Sequence, residues 1–299
     1  MNDRDKAMAE ATRREALLVE TGWLAEHLSD PSVRVVDIRG IIKPTDQPKP
    51  WYFACRDAYN ASHIPGAVFV DWLDDIVDLD APIRTTVAPP QKISRLLGGL
   101  GIDNSHVVVV YDDDGGHIAC RFWWVLNYYG HASVKLLDGG WIKWVAERRP
   151  VTAELPDHGA AEFKVSVREE WRAEVADVRR ALGDRSRLLV DARSRKEYLG
   201  EVGRGKRVGR IPGAVNLYFQ DLVNGDLGTF KPERELRRIF ENAGVTPDKR
   251  VICYCNAGVS AAVDLFALKL LGYPDAANFA GSWYQWESDP NNPIAVGGG

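Results

Sequence analysis

The chain has 299 residues, more than one hydrophobic core usually organises, so two domains of roughly 140 residues and two cores are expected. With 45% hydrophobic and 27% charged residues it carries enough apolar material to fold, which excludes a disordered polypeptide. The formal charge of −4 leaves no global basic field, which excludes nucleic acid or an anionic membrane as the main partner. Met1 to Glu15 is charged and lacks a signal-peptide core, and no run of about 18 apolar residues follows. A cytoplasmic protein is the expectation. Cys55, Cys120, Cys253 and Cys255 are too few and too irregular for a disulfide framework, so they are read as thiols.

In chain order, residues 1–14 read as an N-terminal extension. The apolar run in Val33-Arg-Val-Val-Asp-Ile-Arg39 opens a first domain, residues 15–149. It is followed by His63-Ile-Pro-Gly-Ala-Val68, the strand-like Val107 to Tyr111, and Leu137-Asp-Gly-Gly-Trp141. A proline- and charge-bearing linker, residues 150–170, precedes a second domain at 171–290 and a tail at 291–299. The same signals then return in the same order. They are Arg187-Leu-Leu-Val-Asp-Ala-Arg193, Arg210-Ile-Pro-Gly-Ala-Val215, Val251-Ile-Cys-Tyr254 and Phe279-Ala-Gly-Ser-Trp283. Collinear repetition on this scale indicates duplication. Short β-branched runs alternating with helical stretches predict an α/β fold, each half a parallel sheet covered by helices on both faces.

The strand Arg250 to Tyr254 leads into Cys255-Asn-Ala-Gly-Val-Ser260. From Ser260 to Leu271 the apolar residues Val263, Phe266, Ala267, Leu270 and Leu271 form a helical stripe, stopped by Gly272-Tyr-Pro274. Cys255 therefore sits in a short loop between a strand end and a helix start, where open α/β sheets place ligands. Backbone N–H groups of Asn256, Ala257, Gly258, Val259 and Ser260, together with the helix dipole, can stabilise an anionic sulfur there. Gly258 suits a tight cradle that needs positive φ. Cys253, two residues earlier, is expected to be buried in the strand. The ten Trp are read as core and interface packing.

The Cys255 loop behind its Val-Ile-Cys-Tyr strand, with the paired Asp-Ile-Arg, Asp-Ala-Arg and Ile-Pro-Gly-Ala motifs, resembles rhodaneses and 3-mercaptopyruvate sulfurtransferases across residues 17–290. The resemblance implies two tandem rhodanese-like domains, with catalysis in the second and the first an inactive copy walling the cleft. It also implies a persulfide on Cys255, loaded by thiosulfate or 3-mercaptopyruvate and discharged to cyanide or to a thiol such as thioredoxin, with ping-pong kinetics and no metal or organic cofactor. Aligning Tyr111 with Tyr254 puts Asp112 opposite Cys255. Asp112 cannot be a sulfur nucleophile and reads as a surface turn residue of the acidic run 112–114.

By the same resemblance, neutral Asn256 and Ala257 lean toward 3-mercaptopyruvate, although Ala257 departs from the Ser often found there in the family, and both donors stay open. Arg193 is a candidate for the donor's carboxylate or sulfonate, its other role being an ion pair with Glu197. Glu197 stands where the family commonly has a second Arg, which leaves Arg204, Arg207 or Arg210 as further anion binders. His63 either reaches the cleft or stabilises its own turn. A phosphatase would need an Arg six positions after its Cys, and that position is Ala261. Cys253 and Cys255 lack further metal ligands at suitable spacing. The remaining alternative is a non-catalytic sulfur-binding or scaffolding protein.

Overall fold

The computed structural model describes residues 3–83 and 85–298. The first half runs α1 (Asp3–Leu17), β1 (Leu18–Val19), α2 (Thr21–Glu26), β2 (Val33–Asp37), a β3–β4 hairpin (Gly40–Ile42, Tyr52–Ala54), α3 (Arg56–Ala61) and β5 (Ala67–Phe69). It continues with α4 (Pro90–Gly99), β6 (Val107–Tyr111), α5 (Ala119–Tyr128), β7 (Val134–Leu137) and α6 (Gly140–Ala146). The second half has α7 (Val175–Ala181), β8 (Arg187–Asp191), α8 (Arg195–Leu199), β9 (Val215–Asn216), a small β10–β11 hairpin (Val223–Asn224, Thr229–Phe230) and α9 (Glu233–Asn242). It ends with β12 (Arg250–Tyr254), α10 (Ser260–Leu270), β13 (Ala276–Asn278) and α11 (Ser282–Ser288).

The two main sheets are parallel and repeat one topology, β1-β7-β6-β2-β5 in the first half and β13-β12-β8-β9 in the second. The counterpart of β1 is reduced to a parallel bridge between Arg172 and Asn278. Parallel strands covered on both faces carry apolar side chains on both faces, and the pleat divides them. In β6, Val108 and Val110 face one core and Val109 and Tyr111 another; in β12, Val251 and Cys253 part in the same way from Ile252 and Tyr254.

The expectation of two separate cores is corrected. Each half keeps a private core on its outer face, but the inner faces merge into one continuous core that spans both halves. The duplicated helices α5 and α10 pack against each other there, with the Trp123 ring meeting Phe266 edge-on at 4.9 Å. Helices that follow equivalent strands thus bring both strand-to-helix loops to the domain boundary.

The ends differ from the expected extension and tail. The boundary drawn at residue 15 falls inside α1, whose Arg14 binds Asp138 at 2.7 Å, while the same carboxylate accepts from Phe230 N–H at 2.9 Å. Met1 and Asn2 lie outside the described residues. Beyond residue 290 the chain lies along the second domain, with Ala295 bridging Arg210 and Asn292 buried. The linker 150–170 is extended and runs along the first domain, where Ala161 N donates to the Gly98 carbonyl and Ser166 N to that of Tyr129.

Candidate active site

Cys255 follows β12 directly and is buried, as is Cys253 in the strand behind it. Its own N–H donates to Ser282 Oγ at 3.1 Å, and its carbonyl accepts from Trp283 N–H, which ties the loop to the start of α11. Gly258 has φ of 74°, and a Cβ there would stand 2.6 Å from the Ala280 carbonyl oxygen, so two requirements fix the glycine at once. The Ala257 carbonyl accepts from Thr85 Oγ1 at 3.0 Å, and the Gly258 carbonyl accepts from Asn278 Nδ2 at 2.9 Å and Arg121 Nη1 at 3.3 Å. Among the described residues, the N–H groups of Ala257, Gly258 and Val259 donate to no protein acceptor.

Cys255, Asn256, Ala257, Val259 and Ser260 line a cavity of about 200 Å³ between the halves. Its opposite wall is the tip of the β3–β4 hairpin, held across the boundary by polar contacts. Arg204 donates to Thr45 Oγ1 and to the Lys43 carbonyl, and Tyr52 and Tyr284 share a hydroxyl hydrogen bond at 2.9 Å. Glu197 is a cavity-wall carboxylate saturated by donors: Asn256 Nδ2 at 2.8 Å, Thr45 Oγ1 at 2.9 Å and Ser194 Oγ at 2.9 Å. His117 of the first half bridges Asp114 at 2.9 Å and Ser260 Oγ at 2.8 Å. Asp114 can only accept, so the Nδ1 proton belongs to that contact.

Of the three expected donor-binding residues, one borders the cavity and two stand away from it. Arg193 borders the cavity, but its Nε and Nη2 are engaged by Asp191 and the Gly209 carbonyl, and its guanidinium lies 4.6 Å over Trp283. The partner is thus Asp191 rather than Glu197. The first half repeats this construction with Arg39, Asp37 and Trp141, so the arrangement is common to both copies of the fold. His63 is fully buried away from the cavity, bonded to the Tyr59 and Glu154 carbonyls and stacked on Tyr59. Arg210 is held by the Tyr198 and Gly297 carbonyls and does not line the cavity either.

Asp112 corrects the surface-turn expectation. It is 1% exposed, and its carboxylate accepts four backbone N–H groups, from Asp114 at 3.1 Å, Gly116 at 2.9 Å, Ile118 at 2.8 Å and Ala119 at 2.9 Å. The duplicated loop therefore holds a carboxyl group at the N-terminus of α5, where burial raises its pKa on balance and the N–H groups of Ala119, Asp114 and Gly116, with the helix dipole, act in the opposite sense. Burial also pushes its neighbour Asp113 up to about 6.

Among the described residues, the buried carboxyl of Asp264 makes no hydrogen bond. Both oxygens of Asp264 on α10 lack a partner, and burial raises its carboxyl well above the ordinary range. Its folded form keeps a proton that the unfolded chain releases above about pH 4, so this group's stabilisation is complete below that pH and is lost as pH rises. Asp264→Asn is expected to match the wild type near pH 4 and to exceed its stability near pH 8. Denaturation midpoints across that window check this, and equal midpoints at the alkaline end refute it.

Sequence reasoning missed Arg121, His117, Thr85 and the hairpin tip. Among the described residues no helix is long and apolar enough to cross a membrane, and no group of three or more His, Cys, Asp or Glu side chains is placed to hold a metal ion.

The rhodanese-like domain family matches twice, at residues 20–147 and 174–289. The sulfur carrier protein TtuD of Thermus thermophilus is 36% identical over 94% of this chain and 97% of its own length. The thiosulfate sulfurtransferase of Mus musculus is 34% identical over 94% and 95%. Among solved structures, the 3-mercaptopyruvate sulfotransferase SseA of Escherichia coli superposes with a TM-score of 0.79 at 31% identity, covering 89% of this chain and 98% of that one. EanB in complex with ergothioneine reaches 0.83 at 25% identity, covering 96% and 71%. With both halves matched and relatives similar along nearly their whole length, this chain belongs to the rhodanese family and carries two copies of its domain.

Proposed function

We propose that this protein is a sulfurtransferase that carries sulfane sulfur on Cys255, taking it from thiosulfate or 3-mercaptopyruvate and passing it to a thiol or to cyanide. One observation carries the reading. The loop whose twin in the same chain grips a carboxylate with four N–H groups holds, in the second half, a cysteine at the wall of a cavity between the domains. A cradle built for an anion favours thiolate and persulfide at that position.

In the first half-reaction the Cys255 thiolate attacks the donor's outer sulfur, and the bond behind it breaks with its electron pair leaving on sulfite or pyruvate. In the second, an acceptor thiolate or cyanide attacks the outer sulfur of the persulfide and returns the Cys255 thiolate. Lys43, Lys196 and Arg204 line the cavity and favour a small anionic donor, whereas the fully occupied Glu197 disfavours direct anion contact at its own position. The names of the mouse and Escherichia coli relatives support one donor each, so both are retained.

The test is donor-dependent thiocyanate release with each donor separately, together with the mass of the Cys255 peptide. Wild type is expected to turn over and to gain one sulfur on Cys255, and Cys255→Ser to lose both, at least about 1,000-fold in rate. A persulfide without turnover on either donor would favour a non-catalytic carrier or scaffold, and activity retained by Cys255→Ser would remove the thiol from the mechanism.

A further inference from the structure

We propose that Arg121, carried by the non-catalytic half, is a positioning residue for Cys255: a buried cation that pins the active-site loop by its carbonyls and supplies the positive charge its anionic sulfur requires. The inference rests on the reading of Cys255 as the sulfur carrier and gives the first domain a part in the chemistry beyond walling the cavity.

Arg121 lies on α5 and is 1% exposed, with its guanidinium 4.4 Å over the Trp124 ring. Its Nη2 donates to the Thr85 carbonyl at 2.8 Å and its Nη1 to the Gly258 carbonyl at 3.3 Å. Among the described residues it has no carboxylate partner, unlike Arg39 and Arg193, which are nearly as buried and each hold an Asp; Arg210, at 8% exposure, is also held by carbonyls alone but lies away from the cavity. A buried cation without a counter-charge is costly unless an anion stands near it. Burial lowers Arg121 to about 10, with the Cys255 sulfur acting in the opposite sense, so the guanidinium remains charged at neutral pH. The loop brings no cation of its own, since Asn256, Ala257, Gly258 and Val259 are all neutral. Arg204, at the cavity wall, is already committed to the hairpin tip.

The same contacts orient the loop. Arg121 and Asn278 hold the Gly258 carbonyl, and Thr85, itself gripped by Arg121, holds that of Ala257. In a planar trans peptide the N–H points opposite to the C=O. Pinning those two carbonyls on the α5 side therefore turns the N–H groups of Gly258 and Val259, which have no protein acceptor, the other way. One side chain of the inactive copy thus supplies the charge and fixes the direction of the donors.

The experiment is alkylation of Cys255 by iodoacetamide, followed by peptide mass in the full-length protein. It needs no sulfur donor, so it fails or succeeds independently of turnover. Arg121→Gln is expected to react at least about tenfold more slowly than wild type near pH 7, with the deficit narrowing as pH rises to about 9.5 and thiols ionise unaided. A wild-type rate, or a deficit that stays constant with pH and so reflects access, overturns the proposal. If Arg121→Gln does not fold, Arg121→Lys carries the test, because an ammonium keeps the charge but cannot grip two carbonyls as the planar fork does. Reaction within about threefold of wild type supports the charge role, and a tenfold loss near pH 7 reduces Arg121 to a clamp and overturns it.

Discussion

Gly258→Ala is expected to lower sulfur transfer at least about 100-fold and to destabilise the protein by about 2–3 kcal/mol. Two effects act together. An L-residue at φ of 74° costs about 1–2 kcal/mol. The new methyl would also stand 2.6 Å from the Ala280 carbonyl oxygen, 2.9 Å from Ala280 Cα and 3.0 Å from Arg121 Nη1. Two of those atoms are backbone and the third belongs to the buried guanidinium, so the loop must move instead, and the N–H groups proposed to face the sulfur are displaced with it. Gly213 separates the two effects. It has φ of 80° but nothing within 4 Å of the position a Cβ would take. Gly213→Ala should therefore show the backbone penalty alone, about 1 kcal/mol, with turnover unchanged. Parallel thermal unfolding and donor assays decide the matter: if both alanines lose activity equally, positive φ and not the close approach is what the Cys255 loop requires.

The duplication was legible because both copies keep their strand and turn signals, and aligning Tyr111 with Tyr254 set Asp112 against Cys255 without any structure. What remained hidden lies in how side chains are engaged, within one half and between the two. Arg193 looked like an anion binder because its sequence context is that of an exposed strand end, yet Asp191 two residues earlier takes its fork and Trp283 its face. The comparison that would have exposed this was internal, since Asp37-Ile-Arg39 carries the same pair in the half that has Asp112 in place of the loop cysteine. Arg121 had a signal too, as one charged residue in the run Cys120-Arg-Phe-Trp-Trp-Val-Leu126, where a helix buried all round tolerates a cation only for a reason. His117 had none: its contact with Ser260 spans 143 residues and depends on how the two loops meet. The merged core was likewise invisible, because the apolar faces of α5 and α10 would serve two private cores equally well.

Asp112→Ala is the second large effect, and it tests whether this loop architecture is an anion cradle at all. The carboxylate satisfies four backbone N–H groups in a site only 1% exposed, and hydrogen bonds to a charged acceptor are the stronger kind. Deleting it should cost about 3 kcal/mol in the denaturant midpoint, with Asp112→Asn intermediate because the amide keeps one acceptor but turns its NH2 toward donors. The emptied cradle should then accept a small anion from solution. Thiosulfate in the millimolar range is expected to stabilise Asp112→Ala more than wild type, where the carboxylate already fills the place, while its general salting effect acts on both. This difference isolates the local site from the bulk effect and from the cavity at Cys255, which both proteins retain. Should Asp112→Ala match wild type within about 0.5 kcal/mol, and thiosulfate act equally on both, the four N–H groups do not depend on an anion. The inference from the first loop to an anionic sulfur in the second would then lose its support. If the difference appears, the first domain will have kept, around a carboxylate that cannot transfer sulfur, the anion cradle proposed for Cys255 in the second.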